Sequence, residues 1–155
     1  MTAAKQLIEA YVDGACTDNP GPAGFGVVLL SGRYRKELSG YLGLGTNNVA
    51  ELTAALVALR AIRERDRPVR LLTDSAYVHG LVCYNWKPKA NRALVAALRA
   101  EAKLFPHLEV VRVPGHAGVP ENERADVLAR QAIILAAPPV SLRDLLGPQP
   151  EGKAP

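Results

Sequence analysis

The chain has 155 residues, of which 48% are hydrophobic, and this length and composition suit one domain with a single sizeable core. A formal charge of +4 and a pI near 9.3 favour a polyanionic partner such as nucleic acid, although mild basicity alone is common. Cys16 and Cys83 form no CxxC or His–Cys cluster, and no apolar stretch is long enough for a signal peptide or a membrane span. These features exclude a zinc ribbon and a disulfide scaffold, and we expect a cytoplasmic protein.

The first third of the chain predicts three strands. They cover about residues 6–13, 23–31 and 34–41, separated by the turn DNPGPAG and the Ser31-Gly32 break. Short connections of this kind join neighbouring antiparallel strands. We therefore predict an antiparallel meander.

Helices and strands alternate after the meander. Apolar residues at helical spacing predict a helix over 49–63, with Asn48 and Glu51 as its capping box. The elements predicted beyond it are a strand at 69–73, helices at 75–83 and 91–105, a strand at 108–113 and a helix at 122–136. This order predicts an α/β fold with a five-stranded mixed sheet, in which two parallel strands extend the meander and helices flank the sheet.

The last eighteen residues are rich in proline and glycine. Such a composition disfavours regular structure. We predict one domain over residues 1–137 and a C-terminal tail over 138–155, with a single docked turn at 141–146.

Four acidic residues lie at or beside the ends of predicted elements. Asp13 and Asp74 each follow an apolar strand, while Glu51 and Asp126 lie on predicted helices. Ligands gather at the carboxyl ends of strands in open α/β sheets, so neighbouring strands would bring these carboxylates together. Crowded carboxylates repel one another unless divalent cations neutralise them, and a set of oxygen ligands favours Mg²⁺ or Mn²⁺ over zinc.

Each acidic residue also has a structural interpretation when it is considered alone. Asp13 would be a turn residue, Glu51 and Asp74 would be helix caps, and Asp126 would be a first-turn acid. These interpretations do not explain why all four fall where one sheet would collect them. His116, in the loop segment PGHAGVPENER, is either an exposed loop residue or a proton donor near the acidic group.

Four segments cover most of residues 7–130: YVDGACTDNPGPAGFGVVL, TNNVAELTAALVAL, LLTDSAYV and VPGHAGVPENERADVLAR. In this order they resemble the signature blocks of type 1 ribonuclease H, the RNase HI enzymes of bacterial type. The resemblance implies an RNase H-like fold and an endonuclease that hydrolyses the RNA strand of RNA–DNA hybrids with two Mg²⁺ or Mn²⁺ ions. Its products would carry a 5′-phosphate and a 3′-hydroxyl.

The same resemblance assigns roles to particular residues. Asp13, Glu51, Asp74 and Asp126 take the places of the catalytic metal ligands, and His116 that of the catalytic loop histidine. Minor-groove contacts to the hybrid fall on the Cys16 backbone, Asn19, Asn47, Asn48 and the Glu51 side chain, while Thr46 and Asn85 would hold a phosphate of the DNA strand. Asn47 and Asn48 have an equally good interpretation as helix caps. We expect a monomer whose partner is the hybrid.

Two departures from the family pattern affect substrate binding. Ala76 stands where many members have a minor-groove glutamine, and only KPKANR, residues 87–92, replaces the family's lysine-rich protrusion. Two other functions therefore stay open: a catalytically weak module that binds hybrids, and a nuclease of the same fold that acts on another nucleic acid.

Overall fold

A computed structural model describes residues 5–115 and 118–147. Within these residues the chain forms five strands and five helices. In chain order they are β1 (Ile8–Cys16), β2 (Gly21–Ser31), β3 (Tyr34–Gly45), α1 (Asn47–Ala61), β4 (Val69–Thr73), α2 (Ala76–Cys83), α3 (Arg92–Ala102), β5 (Leu108–Arg112), α4 (Pro120–Leu135) and α5 (Leu142–Leu146).

The strands form one sheet in the order β3-β2-β1-β4-β5. The pairs β1–β2 and β2–β3 are antiparallel, whereas β1–β4 and β4–β5 are parallel. The predicted mixed sheet is therefore confirmed. The first strand of the chain lies at the centre of the sheet, with the meander on one side and the parallel strands on the other.

Alternation along β1 divides the core between the two faces of the sheet. Val12 packs in the larger apolar cluster with residues of α1, α2 and α3, whereas Tyr11 belongs to a smaller cluster with residues of α4. In α1, Leu52, Leu56 and Leu59 are fully buried at helical spacing. Burial of each such side chain contributes about 1.5–3 kcal/mol to folding.

Helix α4 lies directly on β2 because a glycine leaves room for its backbone. A Cβ atom on Gly26 would lie 2.1 Å from the Ala125 carbonyl oxygen, so no larger residue fits at this crossing. A pair of hydrogen bonds fixes the helix to β3, since both Nε and Nη2 of Arg124 donate to the Glu37 carboxylate at 2.9 Å. Asp126, two residues further along α4, takes its position from these contacts.

The predicted capping box at the start of α1 is wrong. The N-cap is Thr46, which has extended backbone (φ −130°, ψ 164°) and accepts a hydrogen bond from the Val49 amide through Oγ1 at 3.2 Å. Asn48 lies inside the first turn instead. Both residues are good N-caps, and Thr46 takes the role because β3 runs up to Gly45.

The structure also rules out two other structural interpretations of the acidic residues. Ser75 is the N-cap of α2, where its hydroxyl accepts from the Val78 amide, so Asp74 is not the cap. Helix α4 begins at Pro120, which places Asp126 in its second turn. Helix-end electrostatics therefore do not account for either carboxylate.

The described part of the C-terminal segment packs against the domain. The Val140 amide donates to the Tyr41 carbonyl oxygen at 2.7 Å, and Arg60 donates to the Leu145 carbonyl oxygen. The predicted turn at 141–146 corresponds to the short helix α5. The domain boundary at residue 137 stays a prediction. None of the helices in residues 5–115 and 118–147 has the length and apolar character needed to cross a bilayer.

Candidate active site

Three of the four predicted metal ligands meet at one end of the sheet. Asp13, Glu51 and Asp74 each offer a carboxylate oxygen, and these oxygens lie within 4.8 Å of one another. The pairing between β1 and β4 ends at Tyr11 and Leu72, so Asp13 and Asp74 lie just beyond it. Asp13 is not the end of its strand, as the sequence predicted, because β1 continues to Cys16 through pairing with β2.

A glycine next to Asp13 brings Glu51 to the site. A Cβ atom on Gly14 would lie 2.5 Å from both the Ala50 carbonyl carbon and the Glu51 amide nitrogen. Real Cβ atoms essentially never come so close to backbone atoms. Gly14 therefore permits the contact between β1 and the first turns of α1 that places Glu51 beside Asp13.

Burial and like charges make this group costly to ionise. Asp13 is 6% exposed, and its pKa is raised to about 8, mainly by burial and then by the charges of Asp74 and Asp126. The Gly14 amide, which donates to Asp13 at 2.9 Å, opposes this increase. Burial also raises the pKa of Glu51, against a hydrogen bond from Ser75 that lowers it. A bound cation would relieve both costs.

Asp126 reaches the edge of this group from α4. Its charge contributes to the raised pKa of Asp13, yet it is not among the three residues whose oxygens lie within 4.8 Å of one another. Its carboxylate instead accepts a hydrogen bond from Arg130, one helical turn further on. Among the described residues, the structure thus brings three predicted ligands together and places the fourth nearby, in an ion pair.

The loop before α4 approaches Asp74. A Cβ atom on Gly115 would lie 3.2 Å from Oδ2 of Asp74, so this part of the loop lies against the carboxylate. The candidate catalytic residue His116 comes next in the chain but lies outside the described residues. Its role stays a prediction.

Four of the predicted substrate-binding residues share one surface. Oδ1 of Asn19 accepts from the Asn47 amide at 3.1 Å, and the Cys16 thiol donates to the Gly45 carbonyl oxygen at 3.5 Å. These contacts join the β1–β2 turn to the start of α1 and to Thr46. Asn19 and Asn47 are exposed there, as contact with a substrate requires.

The other two predicted substrate-binding residues, Asn48 and Asn85, line two depressions of the surface. Asn48 is exposed and lines a shallow depression with Tyr77, Trp86 and Lys87. Asn85 follows α2 with a left-handed backbone (φ 54°) and lines a different depression, together with Arg99. Asn48 and Asn85 therefore line depressions that share no residue.

Sequence reasoning did not identify Ser75 or Arg130 as residues of the site. Ser75 supports Glu51 while it caps α2, and the signal for it was a serine directly before the apolar helix segment AYVHGLV. Arg130 lies four residues after Asp126, a spacing that also describes an ordinary solvent-exposed ion pair.

The donor set fits a hard divalent cation. Asp13, Glu51 and Asp74 supply only carboxylate oxygens, the ligands that Mg²⁺ and Mn²⁺ prefer. The raised pKa values of Asp13 and Glu51 in the absence of a cation agree with this chemistry.

Comparisons with known proteins agree with one another. The RNase H family model matches residues 5–134. Ribonuclease H of Aeromonas hydrophila is 44% identical over 138 residues, which cover 81% of this chain and 88% of that protein. RNase H1 of the archaeon Halobacterium salinarum is similar in structure, with a TM-score of 0.72 at 33% identity over 84% of this chain and 99% of that one. LC11-RNase H1, solved in complex with an RNA/DNA hybrid, has a TM-score of 0.69 at 32% identity and covers 83% of this chain and 98% of its own.

Proposed function

Because the chain belongs to the RNase H family of enzymes, we propose that it hydrolyses the RNA strand of RNA–DNA hybrids and leaves 5′-phosphate and 3′-hydroxyl ends. The observation that carries the proposal is the close approach of three carboxylates at the carboxyl end of the sheet, within 4.8 Å of one another. The similarity to LC11-RNase H1, whose structure contains an RNA/DNA hybrid, supports the choice of substrate.

The acidic group would hold two Mg²⁺ or Mn²⁺ ions. Asp13, Glu51 and Asp74 would bind them directly, and Asp126 would join once its carboxylate leaves Arg130. When bound, two such ions supply activation of the attacking water and stabilisation of the departing 3′ oxygen. His116 would transfer a proton to that oxygen, since an imidazole changes charge near neutral pH.

The surface beside the acidic group would recognise the hybrid. The Cys16 backbone, Asn19, Asn47 and Asn48 would contact the minor groove, where 2′-hydroxyl groups distinguish RNA from DNA. Thr46 and Asn85 would hold a phosphate of the DNA strand. The exposure of Asn19, Asn47, Asn48 and Asn85 supports these assignments.

We further propose that residues 1–137 form the catalytic domain and that the protein acts as a monomer in the cytoplasm.

One assay tests the substrate and the cofactor together. A labelled RNA–DNA hybrid is incubated beside single-stranded RNA, duplex RNA and duplex DNA, with Mg²⁺, with Mn²⁺ or with EDTA. We expect metal-dependent cleavage of the hybrid alone, with ends that a 5′-phosphate-dependent exonuclease accepts. Cleavage of another substrate would indicate a different nuclease of the same fold, and binding without cleavage would indicate a binding module.

A further inference from the structure

A basic groove runs along α3 and joins cations of the short segment after Trp86 to cations of a helix that the resemblance did not implicate in binding. It has a volume of about 690 Å³ and is open to solvent. Four cationic side chains line it: Lys87, Arg92, Arg99 and Lys103. The described residues that complete its lining are Pro88, Val95, Ala96 and Ala100, so this groove contains no acidic residue.

The shape of the groove suits a sugar–phosphate backbone. Ala96 and Ala100 lie one helical turn apart and form a floor without long side chains, while the cations lie around it. From Arg92 to Lys103 the helix rises about 16 Å, roughly the length of five phosphates on one strand of a duplex. The acidic residue of α3, Glu101, faces Arg60 and Arg65 and leaves the charge of the groove uncompensated.

The groove continues from the proposed hybrid-binding surface. Lys87 lines both the groove and the depression that contains Asn48. Arg99 connects the two as well, because its guanidinium donates to the carbonyl oxygens of Leu81 and Trp86 and holds this segment against α3. A strand that passes over Asn48 therefore meets Lys87 and then α3.

We propose that the α3 groove binds the phosphate backbone of the hybrid at a distance from the cleaved bond and partly replaces the missing basic protrusion. This inference rests on the proposed function, which supplies the polyanionic substrate. Lys87, Arg92 and Lys103 neutralise phosphates there, while Arg99 mainly positions the segment before the groove. Helix α3 thus supplies phosphate contacts that family members with a basic protrusion make through that inserted segment.

The test compares two triple variants of equal charge. The groove variant carries Lys87→Gln, Arg92→Gln and Lys103→Gln, which remove the three exposed cations of the groove and keep Arg99. The control variant carries Arg33→Gln, Lys36→Gln and Arg63→Gln, which also remove three exposed cations. Lys36 and Arg63 line a depression beside Ile8 and Leu30, at the end of the sheet opposite to the carboxylates. The dissociation constant of a hybrid of about 30 base pairs, roughly 100 Å long, is measured in EDTA over a series of salt concentrations.

We expect the groove variant to lose about tenfold in affinity near physiological salt and its log–log salt slope to fall by roughly 2–3, at about 0.9 per phosphate contact. The control variant should keep the wild-type slope. Equal slopes for the two variants would overturn the groove proposal. An acidic peptide that binds the wild-type groove without displacing the hybrid would overturn it too.

A separate measurement of hybrid hydrolysis by the wild-type protein with Mg²⁺ distinguishes failure of the proposed function from failure of the groove proposal. Cleavage together with equal salt slopes would reject the groove and retain the proposed function. A wild-type protein that binds the hybrid through the groove but cleaves no hybrid would reject the proposed function and retain the groove. Thermal unfolding of all three proteins at matched salt verifies that the variants are folded.

Discussion

At the scale of single residues, Asp13 combines deep burial with a charge that its surroundings oppose. The residue is 6% exposed, its carboxylate lies close to those of Glu51 and Asp74, and its pKa is raised to about 8. A residue that served only the fold would be more stable as an amide here. The retention of a carboxylate is therefore best explained by a cation.

Replacement of this carboxylate should separate activity from stability. We expect Asp13→Asn to nearly abolish hydrolysis of the hybrid, because a proposed metal ligand is lost. The melting temperature of the metal-free protein near pH 7 should rise by roughly 5 °C, because an amide carries neither the burial cost nor the repulsion that opposes ionisation of this carboxyl group. Asp74→Asn should behave similarly. Asp144→Asn on α5, whose side chain is exposed, is the matched control and should leave both quantities unchanged. Near-normal turnover by Asp13→Asn would contradict the metal-site assignment.

The same carboxylate predicts how metal-free stability changes with pH. Below about pH 4 Asp13 is protonated in both states and contributes nothing. Between about pH 4 and pH 8 the unfolded chain releases this proton while the folded chain keeps it, so stability falls with rising pH, by at most about 1.4 kcal/mol per unit. Urea unfolding in EDTA at pH 5 and pH 8 should show this decrease in the wild type and a smaller one in Asp13→Asn.

Loss of the loop histidine should reduce turnover less than loss of a proposed metal ligand does. His116→Ala should slow turnover by roughly tenfold to thousandfold, since water partly replaces a proton donor but not a metal ligand. The pH profile of kcat should lose the limb that reports the imidazole. A loss as large as that of Asp74→Asn would require a larger role for His116, and no loss would mean that this residue is merely exposed.

At the scale of elements, two glycines set how closely the helices approach the sheet. Gly14 admits α1 and Gly26 admits α4, and each is adjacent to or paired with Asp13. The position of the carboxylates thus depends on backbone contacts as much as on the acidic side chains themselves.

A single methyl group at Gly14 should disturb the site without altering any acidic residue. In Gly14→Ala the new Cβ would lie 2.5 Å from the backbone of α1, which must move away and take Glu51 with it. We expect a loss of about 1–3 kcal/mol in stability and a weaker affinity for Mg²⁺, measured by urea unfolding and calorimetry. In the control Gly45→Ala, the new Cβ would contact only the Ala23 methyl group, at 3.3 Å, and no backbone of α1, so the affinity for Mg²⁺ should be unchanged and the loss of stability smaller than in Gly14→Ala.

The pairing of β3 with α4 predicts behaviour in acid. Hydrogen bonds from Arg124 and Arg35 lower the pKa of Glu37 to about 2, below the unfolded value near 4.5. The stability that this shift contributes is present above about pH 4.5 and is lost as the pH falls towards 2. Glu37→Gln should therefore destabilise the protein at pH 7 but not at pH 2, whereas Glu109→Gln, an exposed partner of Arg70, should change little at either pH.

The sequence predicted these elements well because their periodicity is local. Strand β4 was predicted with its observed bounds. The start of α1 was misplaced by two residues because Asn48 is by itself the better N-cap, while the end of β3 at Gly45 gives that position to Thr46. The length of β1 and the Arg124–Glu37 pair depend on residues far apart in the chain, which periodicity does not report. The meeting of Asp13, Glu51 and Asp74 was predictable because each lies at or beside the end of an element that reaches one edge of the sheet. The pairing of Asp126 with Arg130 is local, but its spacing of four residues does not distinguish it from an ordinary exposed ion pair.

At the scale of the whole molecule, the proposed metal site and the proposed phosphate-binding groove lie on different parts of the surface. The carboxylates lie at the carboxyl end of the sheet, while the basic groove lies on α3. Mutations in the two places should therefore affect different kinetic constants.

The shortened segment after Trp86 leads to the last prediction. With few cations between Trp86 and α3, hybrid binding should be weaker than a protrusion would allow, which gives a high KM with a kcat set by the acidic group. A basic helix and loop grafted between Trp86 and Asn91 should lower KM far more than it changes kcat. A graft of the same length with glutamine in place of each lysine is the control. Tight binding by the ungrafted chain at physiological salt would show that existing surfaces suffice.

The central position of β1 has a consequence for how the protein acquires its activity. Ile8 pairs with Val69, so the middle of the sheet closes only after some sixty residues of intervening chain have been ordered. Such non-local pairing is slow to form. Asp126 and the helix that carries it come later still, and synthesis proceeds at about 5–20 residues per second. If Asp126 is the fourth metal ligand, as proposed, a nascent chain has the full set of ligands only after most of it has left the ribosome, and activity arises at the end of folding.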